Sequence, residues 1–210
     1  MAQRSFRWLL ISLALTVVTV DLVSKYAAFR GLYNGSDRGS YDIFPGVFQF
    51  YVDFNPKAEM CDCALVKLNG PVPPRVNHGA LYGIGNEEGY TRLANRFFLG
   101  VSCLAAIAIV WWGTRPSTRT DPLLSGALGL ILGGTIGNLF DRIVLGGVRD
   151  FLHWYLFQFP VFNFADSCLV CGAGALLVHA LFVHPKMETQ TAAVVPAVVP
   201  ETETKPTVLE

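Results

Sequence analysis

Residues 122–142, PLLSGALGLILGGTIGNLFDR, run for nineteen positions without a charge and then set Asp141 and Arg142 side by side. At about 1.5 Å per helical residue, that run covers most of a ~30 Å hydrocarbon layer. Three further runs lack Asp, Glu, Lys and Arg. Trp8–Val20 is interrupted by Asp21 and Lys25 before Tyr26–Phe29 completes it, and Phe97–Thr114 and Ser167–Val183 are uninterrupted. Charged residues make up 15% of the 210 and hydrophobic residues 52%, with a mean hydropathy of +0.41. An average soluble domain is about 25% charged and its helices average about 11 to 12 residues, so a soluble bundle does not fit. The pattern predicts four transmembrane helices.

Arg4 and Arg7 ahead of a Leu-rich run resemble a secretory signal. No small-x-small cleavage site follows, and Asp21 and Lys25 stand where one would be, so the first run reads as a retained helix. Arg4 and Arg7, Arg115 and Arg119, and Lys186 fall at alternate span ends. The positive-inside tendency therefore puts both termini in the cytoplasm and segment 30–96 outside. Within it, Tyr41–Asn55 (YDIFPGVFQFYVDFN) alternates and turns at Pro45-Gly46, Leu68–Pro74 is a rigid turn, and Arg75–Gly85 is extended. A small extracytoplasmic β-sheet over the helices follows. Residues 1–184 make one four-span domain, and 185–210, rich in proline and threonine, read as a disordered cytoplasmic tail.

No nucleotide loop, zinc-protease motif, nucleic-acid signature or internal repeat occurs. Cys61 and Cys63 lie in the extracytoplasmic segment, where a disulfide or a metal contact is chemically open to them, but a lone C-x-C supplies at most two metal ligands. Cys168 and Cys171, in an apolar helix, read as packing residues rather than a redox pair, and Cys103 likewise.

Ionisable groups in hydrocarbon are costly and call for partners. Asp21 and Lys25, four apart on one helix face, read as a structural polar pair. Asn138 precedes Asp141 by three and Arg142 by four, so the three share one side of a helix. Gly133, Gly134 and Gly137 beside them allow close backbone approach between helices, and Gly133, Gly137 and Ala165 suit either close substrate approach or helix packing alone. Beyond Asp150, the run Phe151–Phe159 (FLHWYLFQF) reads as an amphipathic interfacial segment ended by Pro160, and Asn163, Asp166 and Ser167 open the last span. Asp150 and Asp166 are thus joined by an excursion that leaves and re-enters at one membrane face, where they can meet. Paired carboxylates that share a proton meet the needs of aspartyl proteolysis, one activating water and the other donating to the scissile carbonyl. The same pair also suits proton or ion transport.

The blocks GNLFDR (137–142), GVRDF (147–151) and FPVFNFADS (159–167) resemble those of the lipoprotein signal peptidases, the type II signal peptidases of bacteria. Asp21-x-x-Ser24-Lys25 and Asn77-x-Gly79-Ala80 are similar to two further motifs of that family, and the likeness extends over most of residues 8–184. The resemblance implies catalytic roles for Asp150 and Asp166, with Asn77, Gly79, Asn138, Asp141, Arg142 and Asn163 binding substrate or supporting the site. It implies an all-α membrane protein with a small sheet and an interfacial helix, the latter expected over 151–159. It also implies cleavage of diacylglyceryl-modified prolipoproteins on the amino side of the lipidated cysteine, near the outer face of the inner membrane. No cofactor or metal is expected; the partners are prolipoproteins, membrane lipids and globomycin-like cyclic peptide inhibitors, with no nucleic acid. Leu81 and Tyr82 depart from the family's usual residues after its Asn-x-Gly-Ala, and segment 30–74 is longer than usual and reads as a tolerated surface insertion.

Overall fold

The computed structural model of the protein describes residues 5–59, 62–79, 91–157 and 159–183. Among these residues four helices are long and apolar enough to cross a membrane: α1 (Arg7–Gly31), α3 (Thr91–Gly113), α5 (Pro122–Val144) and the last, Phe164–Val183. The last is α-helical as α6 (Phe164–Val178) and closes with a π-helical turn, His179–Val183. Two single turns, α2 (Ala64–Lys67) and α4 (Pro116–Arg119), are the other α-helices among the described residues. The tail, Cys61 and the Leu81-Tyr82 departure lie outside the described residues.

In α1 the buried positions are Leu10, Ala14, Val17, Asp21, Lys25 and Phe29. Their spacing of three and four makes a single stripe, and Trp8, Leu15 and Val23 on the other sides are exposed. That is the distribution a membrane helix needs when lipid replaces water around it. The stripe docks on α5, the innermost helix, where Gly129, Gly133 and Gly137 repeat every four residues. A methyl on Gly133 would stand 2.6 Å from Val17 Cβ and 2.8 Å from Ala14 O. On the opposite side Gly134 meets Ala165 O of α6, and Ala165 is fully buried. Gly133, Gly137 and Ala165 therefore serve helix packing and not substrate approach. We expect Gly137→Ala, whose methyl would lie 2.6 Å from Asp21 Oδ2, to cost about 1–3 kcal/mol, read as a lower thermal unfolding midpoint. By contrast α3 has one buried side chain, Ile109, set against Leu10, Leu124 and Leu128.

At the other end of α1 lies an antiparallel sheet in the order β1 (Arg38–Phe44), β2 (Phe48–Asp53), β3 (Leu152–Trp154). The β1–β2 hairpin turns at Pro45-Gly46, within the predicted extended stretch. Phe29, Val52, Phe54 and Phe151 form its core, with the rings of Phe29 and Phe54 edge-on at 5.7 Å.

The run Phe151–Phe159 is not the expected interfacial helix. Leu152–Trp154 is a strand and Tyr155–Phe157 a turn of 3₁₀ helix. Backbone pairing explains the difference. β2 offers an open edge, which Leu152, His153 and Trp154 complete, while Phe151 N and Leu152 N both donate to Phe162 O at 2.9 and 2.8 Å. Aromatic residues suit that pleated surface, and Phe48 and Trp154 pack across it at 5.7 Å. Cys63 is a half-buried free thiol, Cys168 is buried as a packing residue should be, and Cys171 is exposed, contrary to expectation.

Candidate active site

After Val144 the chain must reverse without leaving the sheet end of the bundle. Gly146, at φ +76°, takes a left-handed conformation that side chains resist, and the chain then runs extended. Val148 exchanges two 2.8 Å backbone hydrogen bonds with Asn77, which brings residues 77–79 beside the start of this stretch. Asp150 follows. The return strand delivers Asn163 to the start of α6, where Asn163 and Asp166 cap each other: Asp166 N donates to Asn163 Oδ1 at 3.0 Å and Asn163 N to Asp166 Oδ2 at 3.2 Å. This is the reciprocal arrangement that satisfies orphan donors at a helix start. It also fixes the Asp166 carboxylate.

Asn163 joins the two carboxylates. Its Nδ2 donates to Asp150 Oδ1 at 2.8 Å and to Asn138 Oδ1 at 3.1 Å, and Asn138 Nδ2 donates to Asp166 Oδ1 at 2.8 Å. Asn77 Nδ2 donates to Asp150 Oδ2 at 3.2 Å, and its own Oδ1 accepts from Gly79 N at 3.1 Å. Gly79 O in turn accepts from Arg142 Nη2 at 3.3 Å, while the Arg142 guanidinium lies 5.5 Å from the Phe98 ring centre. Burial, and then the nearby Asp166 carboxylate, push the Asp150 carboxyl up to about 7 from an ordinary 3.8; the amide donors of Asn163 and Asn77 oppose that rise.

A second layer lies beneath. Lys25 Nζ reaches three oxygens, Asp21 Oδ2 at 2.8 Å, Asn138 Oδ1 at 3.1 Å and Asp141 Oδ2 at 3.2 Å. The first two are hydrogen bonds and the third is an ion-pair contact. Asp21 Oδ1 accepts from Ala165 N at 3.0 Å, which ties α1 to the first turn of α6. Asp21, Lys25, Asp141 and Asn163 are all fully buried. Sequence reasoning overlooked Arg149 and Asn69. Arg149 is fully buried, its Nη2 2.6 Å from Asp141 Oδ1 and its Nη1 2.6 Å from Asn69 Oδ1. The available signal was charge balance, because Lys25 alone leaves Asp21 and Asp141 underpaired.

Above this layer runs a groove of about 1150 Å³, lined at its head by Asn77, Gly79, Asn138, Arg142, Asp150 and Asp166. Lower down its walls are apolar, with Val101 and Ala105 from α3 and Leu169, Val170 and Cys171 from α6. Val170 is 72% exposed, so this wall faces the space that lipid fills. Trp154, Phe157 and Phe159 flank the groove from the sheet side. A polar head with two carboxylates and an apolar body suits a long amphiphile.

Residues 73–182 match the family described as signal peptidase II. The lipoprotein signal peptidase of Symbiobacterium thermophilum is 34% identical over 84% of this chain and 96% of its own length. That of Ectopseudomonas mendocina is 33% identical over 75% and 87%. Among solved structures, one titled as a bacterial membrane enzyme superposes with a TM-score of 0.63 at 23% identity, covering 95% of this chain and 99% of that one. At that identity the likeness speaks for the fold.

Proposed function

Because the chain belongs to the signal peptidase II family, we propose that it is an aspartyl endopeptidase that cuts diacylglyceryl-modified prolipoproteins on the amino side of the lipidated cysteine. The observation that carries this reading is the pair Asp150 and Asp166, joined through Asn163 at the head of an apolar groove. The groove exceeds the ~300–1,000 Å³ of common small-molecule pockets, as an extended peptide bearing a lipid requires. Its apolar side leads the acyl chains toward the bilayer while the scissile peptide stays at the polar head. On this reading the enzyme works in the bacterial inner membrane, with both termini cytoplasmic and the groove head near the outer face; four apolar helices support the membrane part of it.

The dyad works with one shared proton. Its ionised member takes a proton from water, the protonated member donates to the scissile carbonyl, and the roles exchange as the amine leaves. The surrounding charges favour this state. Lys25, Arg142 and Arg149 carry three positive charges and Asp21 and Asp141 two negative ones, so a singly protonated dyad makes the whole cluster neutral. Full ionisation leaves an unbalanced negative charge in a poorly solvated site.

Purified protein given a diacylglyceryl prolipoprotein and the same substrate with an unmodified cysteine tests the proposal. The lipidated form is expected to be cut with a kcat/KM higher by about tenfold or more; no cleavage, or equal cleavage, overturns the reading. Activity is expected to fall as pH rises through about 7, where the pair loses its shared proton. Stability follows the same sign. A carboxyl raised from 3.8 to about 7 on folding stabilises the protein below 3.8, and that contribution is lost as pH climbs through about 7.

A further inference from the structure

The peptide chemistry above uses Arg149 only as a charge, yet among the described residues it is the largest fully buried side chain. Burying a guanidinium is costly unless every donor is met in good geometry. Here its Nη2 and Nε fork onto Asp141 Oδ1 at 2.6 and 3.2 Å, Nη1 donates to Asn69 Oδ1 at 2.6 Å, and the guanidinium carbon lies 4.2 Å from the Tyr26 ring centre. Asn69, fully buried and 80 positions earlier in the chain, is held in turn by its Nδ2, which donates to Val66 O at 2.9 Å in α2.

We propose that Arg149, clamped by Asn69, is a positioning residue that holds the strand carrying Asp150 against the end of α5 and so couples segment 62–74 to the geometry of the two carboxylates. This rests on the reading of Asp150 and Asp166 as the peptidase dyad. Two paths lead from Arg149 to the pair. The first is local: Arg149 N donates to Asp141 Oδ2 at 3.0 Å, and the next residue is Asp150. Successive residues of an extended chain face opposite ways, so anchoring Arg149 inward aims Asp150 into the groove. The second runs from Asp141 through Lys25 and Asn138 to Asp166, over contacts of 3.2, 3.1 and 2.8 Å. The segment is therefore more than the surface insertion its sequence suggested.

Three variants test the coupling. Asn69→Leu leaves the guanidinium in place without its Nη1 acceptor, Arg149→Lys keeps the charge without the fork, and Arg149→Met removes the charge. Rates are compared per folded protein, at a temperature where each variant is folded. Asn69→Leu and Arg149→Lys are each expected to lower kcat about tenfold with KM within about twofold of the parent, a split that mere loss of stability does not produce. Arg149→Met is expected to raise the pH at which the pair loses its shared proton by about one pH unit. Among the described residues, the other charged and titratable groups around that pair are Asp21 and Lys25 of α1, Asp141 and Arg142 of α5, His78, Asp53 with Arg75 and Tyr51 at the groove rim, and Cys171 of α6, and all are unchanged. Infrared titration of the carboxyl band in substrate-free protein reads this shift without any cleavage. A protein that cuts no prolipoprotein would thus refute the function while leaving the coupling measurable. Full kcat in Arg149→Lys, or in folded Asn69→Leu, overturns the proposal, and so does an unmoved titration in Arg149→Met.

Discussion

Asp150→Asn is expected to lower kcat by about 10⁴-fold on lipidated substrate, the upper range for loss of a positioned acid or base. Both Asp150 oxygens accept amide donors, Oδ1 from Asn163 and Oδ2 from Asn77. An asparagine offers one oxygen and one NH₂, so one of those donors loses its acceptor as the exchangeable proton is lost. Asp166→Asn meets the same conflict, because Oδ1 accepts from Asn138 and Oδ2 from Asn163 N. The loss must be separated from misfolding, and pH supplies the means. The carboxyl of Asp150 is raised to about 7, so it makes the folded parent lose stability as pH rises from about 4 to 7. Asp150→Asn removes that loss, and the thermal midpoint of the variant should vary less with pH over that window than the parent's. Inactive protein with a flattened stability profile is the expected result; a kcat within tenfold of the parent would refute a catalytic role for Asp150.

Lys25→Met should give the largest loss of stability, about 3–5 kcal/mol, the range for stripping one partner from a buried ion cluster. Lys25 is fully buried and its ammonium answers Asp21, Asn138 and Asp141. Methionine fills a similar volume, so the cost isolates the charge. Asp141 retains Arg149, whereas among the described residues Asp21 keeps only the Ala165 N–H. Adding Asp21→Asn to Lys25→Met should therefore recover part of the loss, while Asp21→Asn alone should be milder than Lys25→Met. Reversible unfolding in detergent measures both. A Lys25→Met change below about 1 kcal/mol would mean that the cluster is less tightly coupled than its distances imply.

Much of this was legible in the chain because helices make near neighbours in sequence near neighbours in space. The four spans follow from uncharged runs, Asp21 and Lys25 from a spacing of four, and Asn138, Asp141 and Arg142 from three and four. That Asp150 and Asp166 approach one site followed from the excursion between them. What the sequence concealed was register and long-range pairing. Nothing local marks Asn69 as the acceptor for Arg149, and nothing in FLHWYLFQF announces that an open edge of β2 awaits it. Aromatic residues satisfy a membrane-surface helix and an outer strand equally well, and the backbone partners decided between them. The glycines of α5 promised close approach without saying to what, and the answer was α1 on one side and α6 on the other.

The walls of the groove differ in how firmly they are anchored. On one side α5 is locked by glycine contacts and buried ions, and the first turn of α6 is locked by Asn163 and Asp21. On the other, α3 contributes one buried side chain. A vise with one fixed and one compliant jaw grips objects of different girth without moving its cutting edge. We expect bulkier signal peptides to be taken up by displacement of α3 rather than of α5, which would leave the spacing of the two carboxylates unchanged.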